Sequence, residues 1–311
     1  MNLQARPYHD ATDLTRMKQR LMAGTQANLS ASYMHPGYLE WDTQYPPDEA
    51  ANQRNLRLWE RVDIEPPTLE AWAIHLRREG SFDLFVSPAV HGTPAHAAVM
   101  DEYVAWATER ARESGLNTLW PFWAMTHDTV LTSLMTERGF VVEEVDPPVP
   151  LFARTLDALP AVSLPAGFTV RGVHDSADGR RRAAVTYAAF GYTNDWEAYA
   201  AEYAQFISSA AYAGERDIIA IAPDSRGAAA CTIWLDPVNG VGLFEPVATH
   251  LDFQGQGLGK AVMTEGLQRM KLAGMTRAIV GFDPNNKAAL ALYTSLGFSA
   301  AAYFTVARKE V

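Results

Sequence analysis

The second half of the chain alternates short apolar runs with longer helical patterns in a regular order. Apolar runs separated by the turn signals "PDSRG" and "DPVNG" predict an antiparallel meander, because strands joined by tight turns pair with each other. A glycine-rich turn, a helix, a strand, a helix and a last strand follow. The predicted strands cover 168–173, 217–222, 228–235, 241–249, 277–282 and 298–308, and the predicted helices cover 177–190 and 195–209, a segment ending near 273, and 285–297.

The first half shows a blurred version of the same order. An opening segment "MNLQARPY", a helix near 11–23 and an irregular, aromatic-rich insertion from 31 to 67 come first. The segment that starts "SFDLFVSPAVHGTPAHAAVM" then repeats the order strand, turn, long helix, and "HDTVLTSLMTERGF" repeats the order helix, glycine, phenylalanine. These echoes predict an internal duplication with a period of about 160 residues. We place the two domains at 1–158 (the first half) and 159–311 (the second half), with a proline-containing linker near 157–166.

Composition and charge exclude several classes of partner. The 311 residues carry a net charge of −10, which argues against nucleic acid, since nucleic acid is held mainly by lysine and arginine. The first half has 13 basic and 22 acidic side chains and the second half 13 and 14, so a polyanionic ligand should prefer the second half. No apolar run approaches the roughly 18 residues of a membrane span, and we expect a cytoplasmic protein with no membrane partner. The single cysteine, Cys231, lies in an apolar run and is expected to be a buried strand thiol.

The glycine-rich turn in "HLDFQGQGLGK" is the strongest local signal. Where a strand ends and a helix begins, unpaired backbone N–H groups and the helix dipole converge, and glycines let an anion approach the backbone. The turn therefore predicts a phosphate site, although a tight turn that only packs the helix on the sheet has the same pattern. Ala261 after Gly-Lys excludes a Walker loop. The dinucleotide fingerprint ranks second, because it would need glycine at Lys260 and should open a domain.

Gln254, Gly257 and Gly259 carry a family resemblance that extends to both sides of the turn. Together with the preceding strand "GLFEPVATH" and the later segment "NKAALALYTSLGF", this pattern resembles the general N-acetyltransferase (GNAT) superfamily, over roughly residues 168 to 308. The resemblance implies an α/β (α+β) protein made of two tandem GNAT folds, each a mixed, largely antiparallel sheet flanked by helices. It also implies acetyl-CoA as cosubstrate.

The resemblance also implies a set of cofactor-binding residues. The pyrophosphate would lie on the backbone of the turn, and the pantetheine would pair with the preceding strand where that strand separates from the next. Asn286 would cap its helix or hydrogen-bond the cofactor, and the Val247 amide would donate to the carbonyl oxygen of the acetyl group. The implied cofactor-binding residues are Val247, Thr249, Gln254, Gly255, Gln256, Gly257, Gly259, Lys260 and Asn286.

Two side chains are candidates for the chemistry of acetyl transfer to an amine. Glu245 lies beside Pro246, and because proline cannot donate to a strand ladder, we expect the strand to open there. A carboxylate at that opening would take the proton of an incoming ammonium; a strand carboxylate satisfied by neighbouring donors is the alternative. Tyr293 matches the position from which members of the family protonate the departing thiolate, and simple packing on the sheet is its alternative.

The first half departs from this pattern. Its turn places His91, Pro94 and His96 where Gln254, Gly257 and Gly259 stand, and proline lacks an N–H. Met135 takes the place of the tyrosine. We therefore expect a first half that does not catalyse acetyl transfer, and we expect no metal site, because the two histidines lack a third ligand.

Three further groups of residues have structural interpretations. The run Arg180 to Arg182 follows Asp175 and Asp178 and predicts a salt-bridged helix face. His250 and Asp252 flank the turn and are expected to be solvated. The series Tyr192, Trp196, Tyr199, Tyr203 and Phe206 has helical spacing and predicts a core stripe, whose first two members are also substrate candidates by resemblance.

The expected function is that of an acetyl-CoA-dependent N-acetyltransferase. It would transfer the acetyl group directly to the primary amine of a small molecule, with catalysis in the second half. A non-catalytic acyl-CoA-binding or regulatory protein is the alternative, and a dinucleotide-binding oxidoreductase ranks third.

Overall fold

The computed structural model describes residues 1–311. The first half contains β1 (Leu3–Pro7), α1 (Ala11–Ala27), α2 (Pro36–Gln44), α3 (Glu49–Asn55), β2 (Leu56–Arg61), β3 (Thr68–Leu76), β4 (Ser81–Val86), α4 (Pro94–Glu113), β5 (Thr118–Leu119), α5 (Thr129–Glu137), β6 (Val141–Val142) and β7 (Pro150–Thr155). The second half contains β8 (Thr169–Gly172), α6 (Ser176–Ala189), α7 (Trp196–Ile207), β9 (Asp217–Ile221), β10 (Gly227–Asp236), β11 (Val241–Thr249), α8 (Leu258–Leu272), β12 (Arg277–Gly281), α9 (Lys287–Ser295), β13 (Ser299–Tyr303) and β14 (Ala307–Glu310).

A seven-stranded sheet organises the second half, in the order β13-β7-β12-β11-β10-β9-β8. Strands β8 to β11 form a continuous antiparallel series, so the predicted meander is confirmed. Only β11 and β12 pair in parallel, across the connection that contains the glycine-rich turn and α8. The predicted fold class, a mixed α/β protein with largely antiparallel sheets flanked by helices, is confirmed.

The last strand of each half pairs within a sheet of the other half. Strand β7 lies between β12 and β13 in the seven-stranded sheet and pairs antiparallel with both. In return, β14 lies between β5 and β6, in a three-stranded sheet of the first half. The predicted single strand at 298–308 was wrong, because the chain leaves the second half after β13 and crosses to the first half as β14.

A matched pair of ion pairs fixes the start of each half. Arg6 on β1 pairs with Asp13 on α1 at 2.6 Å, and Arg171 on β8 pairs in the same way with Asp178 on α6. In both halves the aspartate also accepts from a backbone N–H four residues earlier, and another aspartate caps the helix. The sequences "RPYHDATD" and "RGVHDSAD" thus form one repeated local structure, which indicates duplication more strongly than the order of the predicted elements does.

The halves share a core rich in aromatic residues. Helix α2 packs directly on β10, and Gly37 lies so close that an added Cβ would stand 2.1 Å from the Cβ of Trp234. The predicted stripe on α7 also faces this core, with Tyr203 and Phe206 buried against Tyr45. The expected irregular insertion at 31–67 was wrong. The segment forms α2, α3 and β2, because its aromatic side chains are buried between the halves.

The helices do not include a segment suited to the bilayer. None combines the length and the apolar character that crossing a membrane requires.

Candidate functional site

The glycine-rich turn presents free backbone donors at the start of α8. Gly255 and Gly257 have φ values of 75° and 79°, in the left-handed region that favours glycine. The backbone N–H groups of residues 255–260 donate to no acceptor within the chain. Residues 254–257 are exposed, so these donors and the positive end of the 15-residue helix α8 are accessible to an anion.

The remaining residues of the turn pack it against its surroundings. An added Cβ at Gly259 would lie 3.0 Å from the Thr249 Oγ1, so a larger residue there would require the Thr249 side chain at the end of β11 to shift. Lys260 extends to α9, where its Nζ donates to the Ser295 carbonyl oxygen at 3.3 Å. Its ammonium therefore lies at the C-terminal end of α9 rather than over the turn.

The sheet opens directly before this turn, as the proline predicts. Pairing between β11 and β12 ends at Leu243, and the β10–β11 register shifts at Glu245 and Pro246, where a bulge interrupts the ladder. His250 N–H donates to the Ala228 oxygen. Because hydrogen-bonded pairs alternate along an antiparallel ladder, the backbone groups of Val247 and Thr249 point away from β10. They point into the gap that β12 has left.

Glu245 lies at the gap between β11 and β12, and its pKa is raised. Burial raises the pKa of Glu245 to about 8, the charge of Glu79 acts in the same direction, and Arg78 opposes both. The backbone oxygen of Glu245 is fixed by the Trp234 indole N–H at 2.7 Å. Its side chain borders two cavities that have no other lining residue in common.

The first cavity, which we call the aromatic lobe, has a volume of about 410 Å³. It lies below the separation of β11 and β12, and both halves contribute to it. The rings contact one another, with Tyr38 and Phe122 stacked at 5.2 Å and Trp123 and Phe304 at 5.7 Å between centroids. The residues that define it here are Tyr38, Trp120, Phe122, Trp123, Glu245 and Phe304.

The second cavity, the charged lobe, has a volume of about 710 Å³. Most of its charged side chains come from the first half, and none of those was a candidate site residue on the sequence. A run of charged residues in the β3–β4 turn, "RREG", was the available signal. The residues that define this lobe are Asp42, Arg77, Arg78, Glu79, Glu202 and Glu245.

Tyr293 lies on α9 behind the gap. It is buried and packs edge-on against Phe282 at 5.2 Å, and Phe282 itself lines the aromatic lobe. Burial, and next the charge of Glu245, raises the pKa of the Tyr293 hydroxyl, so the hydroxyl stays protonated at neutral pH. Asn286 caps α9 by accepting from the Ala289 N–H at 3.0 Å, so capping accounts for its side-chain oxygen.

The structure also places three other residues that the sequence singled out. Cys231 is buried and donates to the Val262 oxygen, as expected for a strand thiol. Tyr192 lines the charged lobe, whereas Trp196 does not and instead lies beside Arg180.

The predicted salt-bridged face at Arg180 to Arg182 is only partly correct. Arg180 pairs with Glu197 on the surface, and Arg181 pairs with Asp178. Arg182 is fully buried and pairs with Asp217 at 2.8 Å. That prediction was wrong for Arg182, because the approach of α6 to β9 and β10 is not visible in a helical charge pattern.

The corresponding turn of the first half has its own internal bonds. The Gly92 N–H donates to His96 Nδ1 at 3.2 Å, and the His96 and Thr93 N–H groups donate to carbonyl oxygens of the turn. His91 bonds Asp128 at 3.1 Å. No group of three or more His, Cys, Asp or Glu side chains with metal-binding geometry is present in the molecule.

Comparison with known proteins adds a sequence match in the second half. Residues 183–298 match the profile of the Acetyltransferase (GNAT) family. A mycothiol acetyltransferase of Streptomyces coelicolor is 49% identical over 47 residues, 15% of this chain and 15% of that protein. A second mycothiol acetyltransferase, of Streptomyces avermitilis, is 38% identical over 60 residues, 19% of this chain and 20% of that protein. The chain thus aligns with a fifth or less of the length of these curated relatives.

Solved structures match the fold of nearly the whole chain. A GCN5-related N-acetyltransferase from Sphaerobacter thermophilus has a TM-score of 0.64 at 19% identity, covering 99% of this chain and 95% of that chain. A tandem GNAT protein from the clavulanic acid biosynthesis pathway has a TM-score of 0.65 at 15% identity, covering 99% and 98%. At these identities the likeness concerns the fold alone.

Proposed function

We propose, on the premise that residues 183–298 form a domain of the Acetyltransferase (GNAT) family, that this protein is an acetyl-CoA-dependent N-acetyltransferase. It acetylates the primary amine of a small molecule by direct transfer. Catalysis belongs to the second half (159–311), and the first half (1–158) completes the acceptor site without catalysing. The free amides of residues 255–260, next to an opened strand with Glu245 at its bulge, are the observation that carries the proposal.

The turn fits a pyrophosphate. Its free N–H groups, the left-handed glycines and the start of α8 together offer several charge-assisted hydrogen bonds, each contributing about 1.5–3 kcal/mol. Gln254, Gly255, Gln256, Gly257, Gly259 and Lys260 form this cradle. The backbone groups of Val247 and Thr249 would hold the pantetheine arm in the manner of an added strand. Asn286 contributes by starting α9 beside the arm.

Acetyl-CoA supplies an activated acetyl thioester when bound. Glu245 accepts the proton of the incoming ammonium, because its carboxyl has a pKa of about 8 and ionises within the working range of an enzyme. The Val247 N–H points into the gap and donates to the carbonyl oxygen on which negative charge develops. Tyr293, held protonated by burial, donates its proton to the departing thiolate.

The decisive experiment separates catalysis from mere binding. Calorimetric titration with acetyl-CoA, with NAD as the control ligand, measures the cofactor site. Release of free CoA on addition of primary amines then measures transfer. Binding of acetyl-CoA together with amine-dependent CoA release supports the proposal. Binding without release from any amine supports the alternative, a non-catalytic acyl-CoA-binding protein. Absence of acetyl-CoA binding overturns both.

A further inference from the structure

The acceptor site consists of two cavities of opposite chemistry that meet at Glu245. The aromatic lobe is walled by ring systems, and the charged lobe by carboxylates and guanidinium groups. Glu245 is the only residue that borders both. An amine held at Glu245 therefore has an apolar cavity on one side and a polar cavity on the other.

The aromatic lobe has the size and surface of a binding site for a ring. Its volume of about 410 Å³ is within the range of small-ligand sites. Phe122 lies at the centre of the wall, 5.9 Å from Trp120 and 6.0 Å from Phe304 between ring centroids. Trp120, Phe122 and Phe304 line the cavity and are only partly buried, so part of each ring is exposed and can contact a ligand. An apolar group that covers these rings removes their apolar surface, and its own, from water.

The charged lobe favours groups that donate hydrogen bonds. Asp42 is buried, at 5% exposure, and forms no ion pair within 4.0 Å. Burial raises the pKa of Asp42 to about 7, against the opposing charges of Arg77 and Arg78 and the backbone N–H of Arg77. Asp42 thus has a backbone donor near it but no side-chain partner.

The guanidinium groups of this lobe are partly committed elsewhere. Arg78 is stacked 3.7 Å from the centroid of the Tyr45 ring and donates twice to the Tyr45 carbonyl oxygen. Arg182 pairs with Asp217. Glu79 accepts from the Tyr38 hydroxyl at 3.0 Å. Asp42 and Glu202 have no side-chain partner, and Arg77 is the one guanidinium of the lobe without such commitments. A ligand that donates hydrogen bonds would supply partners for these two carboxylates.

We propose that the acceptor is a bipartite amine, with a ring-sized apolar group that occupies the aromatic lobe and a hydrogen-bond-donating head, a hydroxyl or a second ammonium, that reaches the carboxylates of the charged lobe. This inference rests on the proposed function, since it assigns the acceptor of the same reaction. Asp42 and Phe122, both from the first half, determine specificity on the two sides of the amine.

Four matched amines test the proposal with the intact protein. Phenylalaninol carries both a ring and a hydroxyl head, and 3-phenylpropane-1,2-diamine carries an ammonium head instead. Alaninol lacks the ring, and 1-phenylpropan-2-amine lacks the head. We expect kcat/KM for at least one of the two bipartite amines to exceed that of both truncated amines by about tenfold or more, because an unfilled apolar pocket and an unpaired buried carboxylate both weaken transition-state binding.

Two variants assign each preference to its lobe. Phe122→Ala should reduce the preference for the better of the two bipartite amines over alaninol and leave its preference over 1-phenylpropan-2-amine in place. Asp42→Asn should do the reverse. A general loss of stability would change both kcat/KM ratios together or leave both unchanged. A loss of one ratio in each variant therefore reports recognition of the ligand.

Each outcome has a distinct meaning. Acetylation of alaninol or 1-phenylpropan-2-amine as efficiently as the bipartite amines overturns the acceptor class. Acetyl-CoA binding in calorimetry without acetylation of any of the four amines also overturns the acceptor class, while the cofactor site stands. Failure to bind acetyl-CoA at all overturns the proposed function itself.

Discussion

The two halves have the same local frame and differ at the turn between strand and helix. In the second half, the N–H groups of residues 255–260 have no acceptor in the chain. In the first half, three N–H groups of the equivalent turn, those of Gly92, Thr93 and His96, donate to the His96 ring or to nearby carbonyl oxygens, and Pro94 has no N–H. A turn becomes an anion site only where the protein leaves its donors unsatisfied.

The strand before the turn also differs between the halves: it borders an open gap in the second half and a filled one in the first. Phe82 stands in the first half where the overlay of the turns places Glu245, and it is fully buried. The Asp83 carboxylate accepts from the Trp123 N–H at 2.8 Å and the Phe122 N–H at 3.3 Å, and thereby holds the next loop in place. The cavity left at Asp83 has only about 20 Å³, room for a water molecule at most. The second half keeps its gap open, and the first half has filled it.

The largest effect on acetyl-CoA binding is expected from a substitution in the glycine-rich turn of the second half, and not from one in the first half. Gly257→Val forces a β-branched residue into the left-handed region, and nothing lies within 4 Å to clash with it. We expect a loss of acetyl-CoA affinity of about 100-fold or more, because several charge-assisted hydrogen bonds lose their alignment. Gly92→Val is the control in the first half. The overlay of the turns pairs Gly92 with Gly255, and Gly92 has the same left-handed conformation, with φ 74°, and equally open surroundings. Calorimetry that finds equal losses in the two variants would contradict the assignment of the cofactor to the second half.

The next largest effect is expected at Glu245. Glu245→Gln should lower kcat/KM by about 10²- to 10⁴-fold, the usual contribution of a general base. The pKa of Glu245 is about 8, and the base must be ionised. In the unmodified protein, kcat/KM therefore rises with pH up to about 8 and then levels off.

The pH profile of the Glu245→Gln variant provides the check. Its residual kcat/KM should lack the limb with a pKa near 8. Persistence of that limb would remove Glu245 from the role of base.

A smaller effect is expected at Tyr293. Tyr293→Phe keeps the ring packed against Phe282 and removes only the hydroxyl. We expect kcat to fall by about 10- to 100-fold, since protonation of the leaving thiolate is lost, with acetyl-CoA affinity unchanged. Tyr103→Phe is the control in the first half, where a buried hydroxyl donates to the Phe82 oxygen at 2.8 Å. A similar fall in kcat for Tyr103→Phe would indicate a packing effect rather than proton transfer.

The smallest difference is expected where the halves are alike. Burial alone would raise the pKa of Asp13 and Asp178, but hydrogen bonds from Arg6 and Arg171 hold both below the usual range. Asp13→Asn and Asp178→Asn should each lower the free energy of unfolding by about 1–3 kcal/mol, by similar amounts. Because the folded pKa is lowered in both cases, this stabilisation is complete above the unfolded-state pKa and is lost as the pH falls through the folded value.

Urea unfolding of both variants across acidic pH tests this equivalence. A much larger loss in one half than in the other would show that the repeated ion pairs do not serve the same purpose.

Much of the second half could be predicted because its signals are local. Strand and helix periodicity, turn residues and the spacing of glycines all act within about one element, and the elements from β8 to α9 follow them closely. Gly255 and Gly257 need left-handed φ values whatever surrounds them. The proline after Glu245 likewise predicts an interrupted ladder at that strand, because it has no N–H to donate.

The tertiary structure alone decided which residues share a site. The charged lobe draws Asp42, Arg78 and Glu79 from the first half to a carboxylate on β11, and no local pattern links segments so far apart in sequence. The exchange of β7 and β14 is equally non-local, since each strand completes a sheet built mainly by the other half. The sequence by itself determined a strand, an open turn and a helix able to receive an anion, because backbone conformation depends on neighbouring residues. The acceptor site was decided by packing, because burial of aromatic surface between the halves brought their side chains together.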